Sequence, residues 1–327
     1  MKVLFIGGTG VISEAVTALA AARGITLTLL NRGRTKAPVP AGVEVIHCDV
    51  RDREAYAAAI GDREFDAVVN WIAFTPEHVY TDLQVLRGRT RQYVFISTAM
   101  VYQKPPSHYL ITEHTPRGNP FSEYAQNKIA CEDLLLQAHA DGTLPVTIVR
   151  PSYTYGNTKI PNDIGITDYT IVQRIKQGKP VVVHGDGQSL WTLTHNTDFA
   201  LAFVGLLGCE PALGEAFHIT SDEVLTWDQI FRTLGAAVGV EPRLVHVPSE
   251  RIAALAPTKH SGLYGDKMYS MVLDNSKVKS VVPGFKAVMP LAEGVQRSIA
   301  WYEAQPERMR INADADALID TLIASMQ

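Results

Sequence analysis

The sequence predicts an α/β protein, a doubly wound parallel sheet with a smaller C-terminal substrate domain. Three observations carry that expectation. An apolar run of strand length stops at a glycine cluster and is followed by an alanine-rich helical stretch and a second apolar run. Further apolar runs alternate with helical segments over about the first 150 residues. Beyond that point the chain becomes richer in turns. The 327 residues are enough for one large domain or two smaller ones.

The first run, residues 2–6, leads into Gly7-Gly8-Thr9-Gly10-Val11-Ile12-Ser13. A helix from residue 14 to about residue 23 and a strand over 25–30 come next. Strand, glycine loop, helix, strand is the setting in which such glycines signal a dinucleotide site. They let the backbone turn tightly and approach a pyrophosphate, whose charge meets the helix N-terminus. Gly7, Thr9, Gly10, Val11 and Ile12 are therefore the expected contacts. Ser13 stands where a third glycine would close the pattern and is small enough for close helix–strand packing. At the end of the second strand an acidic residue would hold a ribose 2′-hydroxyl, whereas arginine accommodates a 2′-phosphate. The strand ends Asn31-Arg32-Gly33-Arg34, with no carboxylate and two guanidiniums. Asn31, Arg32 and Arg34 are thus expected at an NAD(P) site and favour NADP, although neutral Asn31 could also bind a diol.

Later strands follow in order. Residues 43–48 end at Asp49-Val50, where a carboxylate can meet the adenine amino group. Residues 65–70 lead to Trp71-Ile72-Ala73-Phe74 at a carboxyl end, where open α/β sheets hold ligands. Residues 93–96 run into Ser97-Thr98-Ala99-Met100-Val101-Tyr102, and residues 146–149 end at Arg150-Pro151. The expected division is a Rossmann-type dinucleotide-binding domain over 1–157, with returning segments at about 180–205, and a mainly substrate-binding part over 158–327.

Composition narrows the function classes. With 46% hydrophobic and 20% charged residues the chain reads as an ordinary soluble globular protein. A net charge of −4 gives no global electrostatic case for nucleic acid or a membrane surface. No apolar run approaches the ~18 residues needed to cross a bilayer, and the N-terminus does not read as a signal peptide. Cys48, Cys131 and Cys209 are isolated, fit neither a disulfide framework nor a metal spacing, and suit a reducing cytoplasm. No metal site is expected.

Tyr124 and Lys128 are the most informative pair. Residues at i and i+4 share one helix face, and Ser122 reads as the N-cap of a helix that continues through 129–136. A nearby ammonium stabilises a phenolate and lowers a tyrosine pKa from its usual ~10. The same spacing recurs at Tyr155 and Lys159, but Gly156-Asn157 between them reads as a turn, so that pair is set aside.

Taken together these residues resemble the extended short-chain dehydrogenase/reductase superfamily, in its NAD-dependent epimerase/dehydratase group. The matching positions are Gly7 through Ile12, Asp49-Val50, Ser97 through Tyr102, Tyr124 through Lys128, and Arg150-Pro151 with Tyr155-Gly156. Gly185-Asp186-Gly187, Thr194 through Asp198, Glu293-Gly294 and Trp301-Tyr302 also match, so the resemblance spans nearly the whole chain. It implies Tyr124 as general acid/base, Lys128 as its pKa-lowering partner and ribose anchor, and Thr98 as a hydroxyl that hydrogen-bonds the substrate oxygen. It also implies Ile72, Ala73 and Pro151, with Tyr124 and Lys128, at the cofactor, an NAD(P)-dependent oxidoreductase or epimerase that exchanges hydride with the nicotinamide at a hydroxyl-bearing carbon, and a homodimer through the Tyr124 helix.

Departures bear on the substrate. After Gly185-Asp186-Gly187, Leu190 or Trp191 stands near the place where relatives of this kind carry a diphosphate-gripping arginine. Trp191, with Trp71 and Phe74 on the other side, is therefore expected to present aromatic surface to a free or modestly substituted sugar or related polyol, and Tyr153 is a further expected substrate contact. Ala99-Met100 replaces the acidic pair of dehydratases. Asn31-Arg32-Gly33 and Thr194-His195 also resemble an offshoot that includes chloroplast stem-loop RNA-binding proteins, a rival reading without redox chemistry. The acidic balance and the absence of basic runs with interleaved aromatics oppose it.

In the second half, residues 180–184 read as a strand, 227 to about 239 as a helix, and 312–327 as a terminal helix with Leu318, Ile319, Leu322 and Ile323 on its apolar side. Residues 260–269 mix glycine, aromatic and charged groups, as either a lid or a plain connection. His195 reads as structural.

Overall fold

A computed structural model describes residues 1–34 and 38–326. Its centre is a seven-stranded, all-parallel sheet: β1 (Lys2–Ile6), β2 (Thr26–Asn31), β3 (Glu44–His47), β4 (Ala67–Asn70), β5 (Tyr93–Ile96), β6 (Val146–Pro151) and β7 (Ala216–Ile219). The spatial order is β7-β6-β5-β4-β1-β2-β3. Chain direction across the sheet therefore reverses between β1 and β4, and the carboxyl ends of these strands frame a crevice there.

Central strands bury both faces, which is why they read as continuous apolar runs rather than alternating ones. Val3 and Phe5 pack with Val16 and Ala20 of helix α1 (Ser13–Ala22) and with Phe199 and Phe203. Leu4 and Ile6 face the opposite way, with Tyr56, Val79 and Leu135. Those three residues come from α2 (Arg53–Ile60), α3 (Pro76–Leu86) and α4 (Glu123–Ala140). The β1 register against β2 and β4 follows from this alternation: a one-residue slip would exchange the two faces.

Of the expected returning segments at about 180–205, the helix Asn196–Leu206 packs on the large sheet, whereas the two strands before it pair elsewhere. Val181–His184 pairs with Leu244–Val247 in a separate two-stranded sheet, and Leu190–His195 pairs with Tyr153–Tyr155 and Val224–Thr226. The chain rejoins the large sheet through that helix and β7. An apolar strand looks the same in sequence whichever sheet it enters, and a distant partner decides.

A second core collects the C-terminal aromatics, with Trp191, Trp227, Phe231 and Leu234 among its members. The terminal helix Ala313–Ala324 adds Ile319 and Leu322, both fully buried, and residue 327 lies outside the described residues. Arg174 ties that helix down through Asp316 and Asp320, each at 2.6 Å. Among the described residues no helix is long and apolar enough to cross a membrane.

Candidate active site

The glycine loop leaves β1 at the reversal point. Gly7 and Gly8 have φ of +95° and +99°, a region that side chains resist. Space is short as well, since a Cβ on Gly8 would stand 2.9 Å from Leu29 Cδ2. The loop is held from behind: Thr17 Oγ1 donates to the Gly8 carbonyl at 2.8 Å, and Ser13 Oγ accepts from the Gly10 N–H at 2.8 Å. Ser13 thus does more than leave room, because it locks the turn. Asn196 reaches over to the Val11 carbonyl at 2.7 Å. Helix α1 has no side-chain cap hydrogen bond, which leaves its first N–H groups for an anion. A narrow glycine cradle against an uncapped helix start fits a dinucleotide pyrophosphate.

Beside it lies a recess of about 220 Å³ lined by Asn31, Arg32, Arg34, Asp49, Val50 and Arg51, among others. Asn31 Oδ1 accepts from the Gly33 N–H at 2.9 Å, Arg32 sits 3.8 Å from Asp49, and Arg51 donates to the Ile72 carbonyl at 2.6 Å. Three guanidiniums therefore line this recess. Arg51 escaped the sequence reading because it follows Asp49-Val50 outside any motif.

The recess shares Gly7, Thr9, Ile72 and Phe74 with a larger cleft of about 720 Å³, whose lining includes Val11, Ile12, Thr98, Tyr124, Lys128, Pro151 and Tyr153. Thr98 lies two residues past β5 and caps a short turn, its Oγ1 accepting from the Met100 N–H at 3.2 Å. Tyr124 lies in the first turn of α4, which Ser122 caps as expected. Lys128 follows one turn later and is only 2% exposed. Its Nζ donates to the Ala73 and Ile96 carbonyls, both at 2.6 Å, and lies 4.6 Å from the Phe95 ring centroid. Ala73 is not among the cleft-lining residues: its methyl is fully buried in the core, and its carbonyl is the one that holds Lys128.

Electrostatics supply a correction. Burial holds the Lys128 ammonium down to about 8. Tyr124 is raised, not lowered: desolvation of its hydroxyl outweighs the opposing influence of the neighbouring Thr98 hydroxyl, which favours the phenolate. Lys128 is turned toward two carbonyls, and its Nζ stands 5.8 Å from the Tyr124 ring centroid.

Phe74, 43% exposed, and Tyr153 do line the cleft. Trp191 does not. It is 2% exposed, packs 5.6 Å from Trp227, and donates its Nε1–H to the Tyr269 and Lys267 carbonyls at 3.0 and 3.2 Å. It anchors the segment after residue 260 instead of facing a ligand. That segment brings Asp266 and Lys267 to the cleft, and Lys159 joins them. The residue 155–159 stretch is a turn, as read, yet the lysine at its end reaches the site. His195 caps the helix Asn196–Leu206 and is held down to about 4 by burial, a structural role.

Comparison with known proteins places this arrangement. The model of the NAD dependent epimerase/dehydratase family matches residues 3–219. The 2′-dehydrokanamycin reductase of Streptomyces kanamyceticus is 28% identical over 254 residues, 76% of this chain and 70% of that protein. The chloroplast stem-loop binding protein of 41 kDa b of Arabidopsis thaliana is 26% identical over 340 residues, covering 99% and 84%. The crystal structure of dTDP-glucose 4,6-dehydratase from Bacillus anthracis in complex with NAD superposes with a TM-score of 0.75 at 19% identity, over 94% of this chain and 98% of that one. This last likeness establishes the shared fold.

Proposed function

The chain belongs to the NAD dependent epimerase/dehydratase family, and from that premise we propose that it is an NADP-dependent reductase working at a carbonyl carbon of a sugar-like substrate. The observation that carries this reading is one continuous groove, with Arg32, Arg34 and Arg51 at one end and Thr98, Tyr124 and Lys128 at the other. Guanidiniums suit a 2′-phosphate and leave no carboxylate free of arginine for a ribose diol, since Asp49 lies beside Arg32. One relative is named for reducing 2′-dehydrokanamycin. Ala99-Met100, in place of an acidic pair, removes the groups a dehydration would need.

The nicotinamide, when bound, supplies the hydride. The chain's own part is to hold the substrate oxygen and deliver a proton. Tyr124 Oη donates its proton to the oxygen as the carbonyl is reduced, and Thr98 Oγ1 steadies the same oxygen. Lys128 is the ribose anchor in this scheme, with Ala73 and Ile96 fixing its ammonium. The Tyr124 phenol is protonated at neutral pH, as an unperturbed phenol is, and so can act as the proton donor in the reductive direction.

A pH profile tests this. Reduction of a keto sugar with NADPH should be level across neutral pH and fall only in the alkaline range, as the Tyr124 proton is lost. Oxidation of the alcohol with NADP should climb over that same alkaline range. An oxidation rate that peaks in acid would rule out Tyr124 as the group involved.

A second reading, RNA binding without redox chemistry, is favoured by the stem-loop binding relative that aligns with 99% of this chain. The net charge of −4 opposes it.

A further inference from the structure

The cleft carries two lysines that the scheme above leaves without a task. Lys159 Nζ and Lys267 Nζ stand 4.3 and 5.6 Å from the centroid of the same ring, Tyr153. Both ammoniums thus flank one ring of the cleft that holds Thr98 and Tyr124, close enough for the Lys267 charge to act on Lys159. Neutralisation is incomplete. Asp266 lies 3.2 Å from Lys267, whereas Lys159 donates only to the Thr154 carbonyl at 3.0 Å. A second carboxylate near the Tyr153 ring, Asp163, is engaged through Oδ2 by the His184 N–H at 2.7 Å and the ring Nδ1 at 2.8 Å, while Lys104 and Lys259, within the fields of Asp266 and Lys267 respectively, add further cations. With Asp163 taken up by His184, Asp266 alone faces the two ammoniums, which leaves excess positive charge in a largely desolvated place, where side-chain exposure is 14% for Lys267 and 11% for Asp266.

We propose that Lys159 and Lys267 form a subsite for an anionic group, a carboxylate or a phosphate, carried by the substrate. This rests on the reductase reading and adds to it that the sugar-like substrate is negatively charged. Like charges held close in low dielectric repel, and an anion placed between them reverses that term. The protein alone holds Lys159 unfavourably, since burial and then the Lys267 charge lower its pKa to about 8.

The subsite is built on fixed backbone. Asn119 Nδ2 donates to the Gly265 carbonyl at 2.8 Å and to the Met100 carbonyl at 2.7 Å, tying the 263–267 turn to the segment after Thr98. Trp191 Nε1 and Ser189 Oγ, each at 3.2 Å, hold the Lys267 carbonyl. An ammonium is a point charge that takes either kind of anion, so this chemistry selects charge over shape. With one end of the substrate held there and the reacting oxygen at Thr98 and Tyr124, two points of attachment fix its orientation.

Calorimetric titrations with D-glucose 6-phosphate, D-glucuronate and D-glucose, with and without saturating NADP, test the subsite. At least one anion should bind about tenfold or more tightly than glucose, as expected for a charge-assisted hydrogen bond. The stronger of the two identifies phosphate or carboxylate as the source. Lys159→Met should abolish that preference and leave NADPH fluorescence titration unchanged. Its melting temperature should hold or rise, because a desolvated cation has been removed; a merely structural lysine would give a fall. Lys159→Arg should keep part of the preference. Equal binding of all three sugars, or an unchanged preference in Lys159→Met, would overturn the subsite. Failure of NADPH to bind would instead count against the reductase reading, because the anion titrations without nucleotide stand alone.

Discussion

Replacing Tyr124 by phenylalanine should lower kcat by about 10²–10⁴-fold, the usual worth of a positioned acid–base group, and leave NADPH affinity unchanged. The substitution removes one oxygen and keeps the ring, so the contact with Phe74, centroids 6.4 Å apart, persists. The helix keeps its Ser122 cap, and Lys128 keeps both carbonyl partners. Nothing in the nucleotide recess is touched. A rate near that of the unaltered protein would take Tyr124 out of the mechanism. A parallel loss of NADPH binding would mean that its role is structural.

The second large effect is on stability. Glu132 lies two turns beyond Tyr124 on α4 and is fully buried. Its carboxylate accepts from Arg150 Nε at 2.9 Å, Arg150 Nη2 at 2.7 Å and Arg117 Nη1 at 3.0 Å. This clamps the catalytic helix to β6. Glu132→Ala should cost about 3–5 kcal/mol, because it leaves the Arg150 guanidinium buried with only neutral partners, the Tyr102 hydroxyl and the Glu113 carbonyl. Replacing Arg150 by methionine in the same chain should recover part of the loss, since no charge then stays buried alone. Urea unfolding measures both. A shift below about 1 kcal/mol, the range of an exposed pair, would mean that the clamp does not hold the helix.

What the sequence revealed divides by the range of the interactions involved. The Tyr124–Lys128 pair was legible because one helix turn sets it, and the glycine loop because its strand and helix flank it directly. The course of β1 to β6 was legible for the same reason, since each strand's carboxyl end is marked by a local change of residue type. Trp191 was misplaced because its partners, Trp227 and the carbonyls of Lys267 and Tyr269, lie far along the chain. Lys159 and Lys267 meet over Tyr153 only through the tertiary fold, and no spacing announces them. The direction of the Tyr124 shift was misread for a related reason. Spacing shows that a lysine is near, but burial of the hydroxyl and the orientation of that lysine decide the sign.

The most direct test of the central claim is a fluorescence titration of the purified protein with NADPH and with NADH. Saturable binding of NADPH, about tenfold or more tighter than NADH, is the predicted result, since guanidinium contacts to a 2′-phosphate are charge-assisted. Tighter binding of NADH would contradict the assigned role of Arg32, Arg34 and Arg51, and binding of neither nucleotide would contradict the reductase itself.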